Sequence, residues 1–307
     1  MGYEINRVGV VGAGLMGAGI AEVCALAGVD TVLIKATPGS PDKALAKVKA
    51  SMDARVSRGK LDAAAAADAL ARITVSSDLD ALLGCDLIIE SIVEDLATKR
   101  ALFESLAPRL APHVVLATNT STLKVTELAA GIRERRTIGL HFFSPVPMMS
   151  LVEVAHTAAT DADVVPAAEA FIAKLGKVAV PVLDSTGFVV NRLLVPMLLN
   201  AIHAYEHGLA SADQIDTAMK LGCGHPMGPL ALADLIGLDV VYAMAKLLYR
   251  DFGDACYRAP ALLRRLVQEG QLGKKAGRGL YDYSAKPPRP NAAVVELIQH
   301  GALRDAA

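Results

Sequence analysis

The 307 residues are 53% hydrophobic and 21% charged, which suits about two domains with sizeable cores. A net charge of -1 excludes recruitment of nucleic acid or anionic membrane by a global field. The absence of Trp and an aromatic content of 4% exclude base-stacking platforms, and no apolar run reaches the roughly 18 residues a membrane span needs.

Val8–Val11 is a short apolar run that reads as a buried strand. It ends in Gly12-Ala13-Gly14-Leu15-Met16-Gly17, and a helical pattern follows to about Ala27. In that setting Gly12 permits the tight turn, Gly14 lets a pyrophosphate approach the backbone, and Gly17 lets helix and strand pack closely. The helix start at Leu15 and Met16 offers N–H groups and a partial positive charge to phosphates. These five residues are the candidate dinucleotide-binding loop.

Thr31–Ile34 reads as a second strand. Asp42–Arg72 then reads as two helices broken near Gly59, more than a plain crossover needs, and is a candidate substrate element. Leu87–Glu90, Val114–Ala117 and Thr137–Leu140 read as further strands. Between the first two lies a helix over Asp95–Arg109, with Leu96, Leu102, Phe103 and Leu106 at helical spacing. Such alternation predicts a parallel sheet with helices on both faces. Leu151–Val154, Phe171–Leu175 and Val178–Val182 continue the mixed pattern.

After Asp184-Ser-Thr-Gly187 the character changes, and from Phe188 onward the sequence is helical. Leu193, Leu194, Met197, Leu198, Leu199 and Ile202 crowd one segment that is apolar over most of its surface. That fits a helical domain which also packs on a partner subunit, so a homodimer is expected. The predicted fold class is α/β: a Rossmann-type, mostly parallel sheet with a helical-hairpin insertion, followed by an all-α C-terminal domain. The predicted boundaries are 1–186, 187–285 and a tail over 286–307, whose Ala292–Ile298 is a short apolar-periodic piece.

The four cysteines, Cys24, Cys85, Cys223 and Cys256, show no Cys-x-x-Cys spacing. They read as reduced and mostly buried, which fits a cytoplasmic protein. The run after Arg7 is too rich in glycine for a signal peptide, and the first residues lack the Ser or Thr expected for myristoylation. No cluster of His, Cys, Asp or Glu shows metal-ligand spacing, so no metal is expected, and no serine nucleophile elbow occurs.

One constellation carries chemistry: Asn119-Thr-Ser-Thr122, His141-Phe-Phe-Ser-Pro-Val-Pro147, Leu151-Val-Glu-Val154 and Asp184-Ser-Thr-Gly-Phe-Val-Val-Asn-Arg192. Oxidising a secondary alcohol requires removing a proton from oxygen while hydride leaves carbon. A histidine suits the proton transfer because its pKa lies near working pH, and a carboxylate fixes its tautomer and stabilises the imidazolium. His141 and Glu153, twelve residues apart, match that requirement.

With these motifs the chain resembles the L-3-hydroxyacyl-coenzyme A dehydrogenases, including the bacterial 3-hydroxybutyryl-coenzyme A enzymes. The resemblance covers roughly residues 5–283 and includes Gly224-His-Pro-Met-Gly-Pro-Leu-Ala-Leu-Ala-Asp-Leu-Ile-Gly-Leu-Asp239 and Leu272-Gly-Lys-Lys-Ala-Gly-Arg-Gly-Leu-Tyr-Asp-Tyr283. It implies reversible, nicotinamide-dependent interconversion of 3-hydroxyacyl and 3-oxoacyl thioesters, with His141 as acid/base and Glu153 as its partner. It further implies that Ser121 and Asn191 hydrogen-bond the substrate. Glu94, Lys99, Asn119 and Ser121 would lie near the nicotinamide, and Ser51 and Arg58 would meet the coenzyme A arm. Arg55 and Lys60 are equally read as a solvated face. Rival readings keep the chemistry on a carrier-protein thioester or a free acid, or make the chain a silent nucleotide binder; that last reading would predict loss of His141 or Glu153.

Two positions depart from the family pattern. Ser144 replaces the Asn often found three residues after the histidine. Lys35 stands near the place, about 20 residues past the glycine motif, where an acid usually holds the adenosine ribose diol. An ammonium has only donors and suits the 2′-phosphate of NADP, with Thr37 and Ser40 as further donors. The expected cofactor is therefore NADP, alone or alongside NAD. If Lys35 points to solvent, NAD alone fits.

Overall fold

The computed structural model describes residues 4–37 and 40–300. The chain divides into two units between Phe188 and Val189, two residues from the predicted boundary.

The first unit runs β1 (Arg7–Val11), α1 (Leu15–Leu26), β2 (Asp30–Ile34), α2 (Asp42–Val56), α3 (Ala63–Ala71), β3 (Ile73–Ser76) and β4 (Leu87–Glu90). It continues through α4 (Leu96–Leu106), β5 (Val115–Thr118), α5 (Val125–Ala129), β6 (Thr137–Phe142), β7 (Leu151–His156), α6 (Val164–Lys174) and β8 (Val178–Leu183). All eight strands form one sheet in the order β3-β2-β1-β4-β5-β6-β7-β8. Every neighbouring pair is parallel except β6 with β7. The strand order reverses between β1 and β4, and the crevice at the carboxyl ends of those strands is where such sheets bind ligands.

The strands are apolar because both faces are covered. Alternate residues feed two cores. Val8, Val10, Leu33 and Ile89 face Ile20 of α1, Val48 and Met52 of α2, and Phe171 and Ile172 of α6. Val11, Val32, Ile88 and Leu116 face Phe103 and Leu106 of α4. The inserted arm is thus rooted in the first of these cores, and Arg55 of α2 pairs with the buried Glu22 of α1 at 2.7 Å. Ile73–Ser76 is an edge strand that the sequence reading leaves unmarked, too short and half-exposed to carry a readable alternation. Within the mixed pattern after β7, Phe171–Lys174 ends α6, with Phe171 and Ile172 buried from one helical face.

The second unit comprises α7 (Val190–Glu206), α8 (Ala212–Cys223), α9 (Pro229–Ile236), α10 (Leu238–Phe252), α11 (Ala261–Gln268), β9 (Tyr281–Asp282), β10 (Arg289–Pro290) and α12 (Ala292–Gln299). Its core gathers Val195, Leu198, Leu199, Ile202, Leu230, Val241, Leu248 and Leu262. Two buried carboxylates explain its glycine-rich motifs. Asp216 of α8 accepts from Leu230 N at 2.8 Å, Ala231 N at 2.9 Å and Tyr281 Oη at 2.8 Å, which caps the start of α9. Asp234 of α9 accepts from Leu280 N at 3.0 Å, Tyr281 N at 2.9 Å and Tyr283 Oη at 3.2 Å. A Cβ at Gly228 would collide with Asp216, and one at Gly273 or Gly279 with Asp234. Burial outweighs these hydrogen bonds and pushes the Asp234 carboxyl up to about 6.

Within the segment expected as a tail, residues 289–299 pack onto this unit. Its β10 pairs antiparallel with β9, Asn291 Nδ2 donates to Gly279 O at 2.7 Å, and Val294 is buried in the core. The cysteine reading holds for half the set. Cys24 and Cys85 are buried, with burial pushing their thiols up to about 12 and about 11, whereas Cys223 and Cys256 are exposed near helix ends. The reading that no side-chain cluster has metal-ligand spacing is corrected at the end of α7. There one helix face brings His203, Glu206 and His207 together. Among the described residues, no helix is long and apolar enough to cross a membrane.

Candidate active site

The three loop glycines have different reasons to be glycine. Gly12 has a positive φ of 111°, and a Cβ there would strike the Ser91 carbonyl. A Cβ at Gly17 would strike the Gly12 carbonyl, so α1 could not approach β1. Gly14 has an ordinary φ of -73°, and a Cβ there would meet nothing within 4 Å. No packing or conformational demand of the chain itself requires a glycine at this position. The open space at the amino end of α1, where Leu15 is 77% exposed, leaves room for a bound group to approach the backbone. This is the fit expected of a dinucleotide pyrophosphate.

Lys35 directly follows β2, next to the glycine loop, where Gly12 N donates to Ile34 O at 2.9 Å. Its ammonium donates to Thr37 O at 2.7 Å and Thr37 Oγ1 at 3.1 Å. Ser40 Oγ donates to the Asp42 carboxylate at 3.0 Å and accepts from Asp42 N, so its hydroxyl serves the start of α2.

The ends of β4 and β5 carry a buried charge relay that the sequence reading only half located. Glu90 closes β4 fully buried. Its Oε1 accepts from Lys99 Nζ at 2.6 Å and Ile92 N at 2.7 Å, and its Oε2 accepts from Thr118 Oγ1 at 2.7 Å. Lys99 also lies 3.2 Å from Glu94 Oε2. Glu94 Oε1 gathers Thr120 Oγ1 at 2.5 Å, Ser121 N at 2.9 Å, and Thr122 through its N at 3.1 Å and its Oγ1 at 2.9 Å. Burial alone would raise the Glu94 carboxyl; the Lys99 charge and these donors outweigh it and hold it below the usual carboxylate value. Glu94 therefore shapes the Thr120–Thr122 loop that carries Ser121. The missed residue is Glu90, whose signal is an acid ending the apolar run Leu-Ile-Ile.

Asn119, at the end of β5, accepts from Phe142 N at 2.9 Å through Oδ1, while its Nδ2 donates to Ser91 Oγ at 3.3 Å. It ties β5 to β6 at the point where His141 emerges. His141 and Glu153 are direct register partners across the antiparallel β6–β7 pair, so their side chains share one face. His141 Nδ1 lies 2.7 Å from Glu153 Oε2, with both residues buried. A carboxylate only accepts, so the ring proton sits on Nδ1 and the lone pair on Nε2. Phe143 and Phe188 flank the imidazole with ring centroids at 4.4 and 5.7 Å.

His141, Glu153, Asn119, Ser121, Glu94, Lys99 and the glycine loop thus all lie in the first unit, with Lys99 on α4, Glu153 within β7 and the others at or just beyond strand ends. Ser51 is half-buried on α2, and Arg58 is exposed in the turn after it, beside the exposed Lys60. Arg55 is held by Glu22 instead of facing solvent freely. Asn191 belongs to the second unit, in the first turn of α7.

Residues 7–185 match the family described as 3-hydroxyacyl-CoA dehydrogenase, NAD binding domain, and residues 187–283 match 3-hydroxyacyl-CoA dehydrogenase, C-terminal domain. The chain belongs to the 3-hydroxyacyl-CoA dehydrogenase family. It is 43% identical over 291 residues to a 3-hydroxybutyryl-CoA dehydrogenase of Bradyrhizobium diazoefficiens, covering 94% of this chain and 99% of that one. The crystal structure of (S)-3-hydroxybutyryl-CoA dehydrogenase from Ralstonia eutropha is similar with a TM-score of 0.88 and 43% identity, covering 92% of this chain and 100% of that one. A diketoreductase structure is more distant, with a TM-score of 0.77 and 29% identity over 91% of this chain and 99% of that one. The first unit is accordingly the family's NAD-binding domain.

Proposed function

We propose that this family member interconverts (S)-3-hydroxyacyl-CoA and 3-oxoacyl-CoA, with the short-chain 3-hydroxybutyryl and acetoacetyl thioesters as its substrates. The buried contact of 2.7 Å between His141 Nδ1 and Glu153 Oε2 carries this reading. It leaves Nε2 as the base that takes the proton of the substrate's 3-hydroxyl while the C3–O bond becomes a carbonyl. Bound nicotinamide dinucleotide supplies the acceptor for the hydride that leaves C3. Glu153 stabilises the imidazolium so formed, and in the reducing direction that imidazolium returns the proton to the oxygen. Ser121 and Asn191 are the proposed hydrogen-bond partners of the substrate, and Glu94 positions Ser121 through the Ser121 N–H. Ser51 and Arg58 on the inserted arm are proposed to meet the coenzyme A.

Lys35 supports a further specification: the cofactor carries a 2′-phosphate, as NADP alone or alongside NAD. The exposed apolar side chains Leu193 of α7, Leu235 of α9 and Val240 of α10 support a homodimer built through the second unit. Sedimentation is expected to give a dimer, and a stable monomer at micromolar concentration would reject that assembly.

The deciding experiment follows loss of reduced cofactor on addition of acetoacetyl-CoA. Replacing His141 by Ala should lower turnover by roughly two to four powers of ten with little change in cofactor binding. Glu153→Gln should also lower it, and the double variant should lose far less than the product of the two losses, because the pair acts as a unit. Near-normal turnover in His141→Ala would overturn the mechanism.

A further inference from the structure

The last turn of α7 carries a side-chain cluster that the dehydrogenase chemistry does not use. His203, Glu206 and His207 stand at positions i, i+3 and i+4, the spacing that puts three side chains on one helical face. One ring nitrogen from each histidine and one carboxylate oxygen lie within 4.8 Å of one another. We propose that this His-x-x-Glu-His turn is a binding site for a divalent transition-metal ion of the zinc class.

Two of the three ligands, His207 and Glu206, are already held in the state that metal binding needs. His207 Nδ1 lies 2.8 Å from the carbonyl oxygen of His203. A carbonyl only accepts, so Nδ1 carries the proton and Nε2 keeps its lone pair. This is the outer-partner arrangement that fixes tautomer and ring orientation in metal-binding histidines. Glu206 is anchored from the other side: its Oε2 accepts from Leu262 N, in the first turn of α11, at 2.5 Å. Its Oε1 is left towards His203 Nδ1, 3.8 Å away. Two ligand atoms on a tetrahedral zinc, each at about 2.0–2.1 Å, lie about 3.4 Å apart, so the His203–Glu206 pair needs a few tenths of an ångström of rotamer adjustment and the full set, within 4.8 Å, at most about 1.4 Å.

The electrostatics agree. The cluster occupies the carboxyl end of a helix of 17 residues, where the carbonyls present partial negative charge, and Glu206 adds a full one. Two imidazoles and a carboxylate suit zinc, nickel and copper better than calcium or magnesium, which prefer all-oxygen sites. His207 is exposed and His203 is half-buried, so an ion has an entry path. The same spacing occurs in metal hydrolases in which the glutamate acts as base. Here the α11 amide holds one Glu206 oxygen, so the expected role is a staple between the end of α7 and the start of α11. The predicted site is structural and independent of turnover.

The test uses the tag-free full chain in a Cys223→Ser/Cys256→Ser background, which removes the exposed thiols as competing ligands. Zinc affinity is read by competition with a chromophoric chelator, and thermal unfolding is recorded with zinc and with EDTA. The expected result is one zinc per chain and a higher Tm with zinc. His203→Ala and His207→Ala should each weaken binding by at least the roughly 10–100-fold that losing an outer partner alone costs. In EDTA both variants should match the parent in Tm and turnover, which separates loss of the site from loss of the fold. His207→Gln serves in the same way if either alanine variant fails to fold. Failure of the parent to bind zinc, or equal binding by parent and variants, would overturn the proposal.

Discussion

Lys99 Nζ lies 2.6 Å from Glu90 Oε1, and both side chains are sealed from solvent. A buried pair of this kind is costly to break from one side, because the remaining charge has no water to turn to. Lys99→Met is therefore expected to destabilise the first unit by about 3–5 kcal/mol. The double change Lys99→Met with Glu90→Gln should be much milder, since the charge it leaves without Lys99, that of Glu94, is partly solvated and keeps its donors from Thr120, Ser121 and Thr122. Thermal unfolding of the single and double variants checks this; a Lys99→Met variant with the parent's Tm would refute it. Because Lys99 also holds Glu94, surviving Lys99→Met protein should show a raised cofactor KM.

Gly14 and Gly17 make a matched pair of tests. An alanine at Gly17 meets the Gly12 carbonyl, so it must push α1 off β1 and lower stability. An alanine at Gly14 meets nothing in the chain. Gly14→Ala should therefore keep the parent's Tm without cofactor and lose the upward shift that cofactor gives the parent. A Gly14→Ala protein that binds cofactor as tightly as the parent would show that the loop does not approach the pyrophosphate.

The parts of this fold that were legible in the sequence are those with a strong local signal. The apolar strands around Val10, Leu33 and Ile89 stand out because both their faces are buried, and the glycine turn is fixed by its spacing. The strand at Ile73–Ser76 was hidden by its length and its edge position. At the site, His141 and Glu153 were paired from motif resemblance, but their contact depends on the β6–β7 register, which no local pattern displays. Glu90 shows in sequence only as an acid ending an apolar run: Ile92 is a local partner, but Lys99 reaches it from α4 and Thr118 across the β4–β5 register, neither of which a local pattern displays. The His203 cluster shows the opposite failure. Its spacing was readable, but only with the helix in place does it count as a single face.

Asp234 gives a pH signature. Its carboxyl is pushed up to about 6 from an ordinary value of 3.8, chiefly by burial. In the range between those values the folded chain binds more protons than the unfolded one. The resulting stability is present below the unfolded value and is lost as pH rises through about 6. A shift of this size corresponds to something on the order of 3 kcal/mol. Urea unfolding of the parent should therefore show a gain on going from neutral pH to about pH 5 that Asp234→Asn lacks. The variant should also be weaker at every pH, since an amide cannot accept from Leu280, Tyr281 and Tyr283 together. Parallel pH profiles for parent and variant would rule out Asp234 as the titrating group.

Lys35 is the proposed reader of the adenosine ribose, and it would act through charge. A carboxylate at the end of β2 accepts from the ribose hydroxyls and repels a 2′-phosphate; an ammonium reverses both effects. The Lys35 ammonium rests on Thr37, within reach of its own loop, and Asp42 stands just beyond with Ser40 turned towards it. Under that proposal Asp42 would oppose a phosphate and Lys35 would favour one. A charge-assisted hydrogen bond contributes roughly 1.5–3 kcal/mol, so a preference for NADPH of about tenfold or more in kcat/KM is expected. Lys35→Asp should shift the ratio towards NADH, and Asp42→Asn should shift it further towards NADPH. The measurement is kcat/KM with each reduced cofactor and acetoacetyl-CoA. A parent at least about tenfold better with NADH, with a ratio that Lys35→Asp leaves unchanged, would show that Lys35 does not read the ribose.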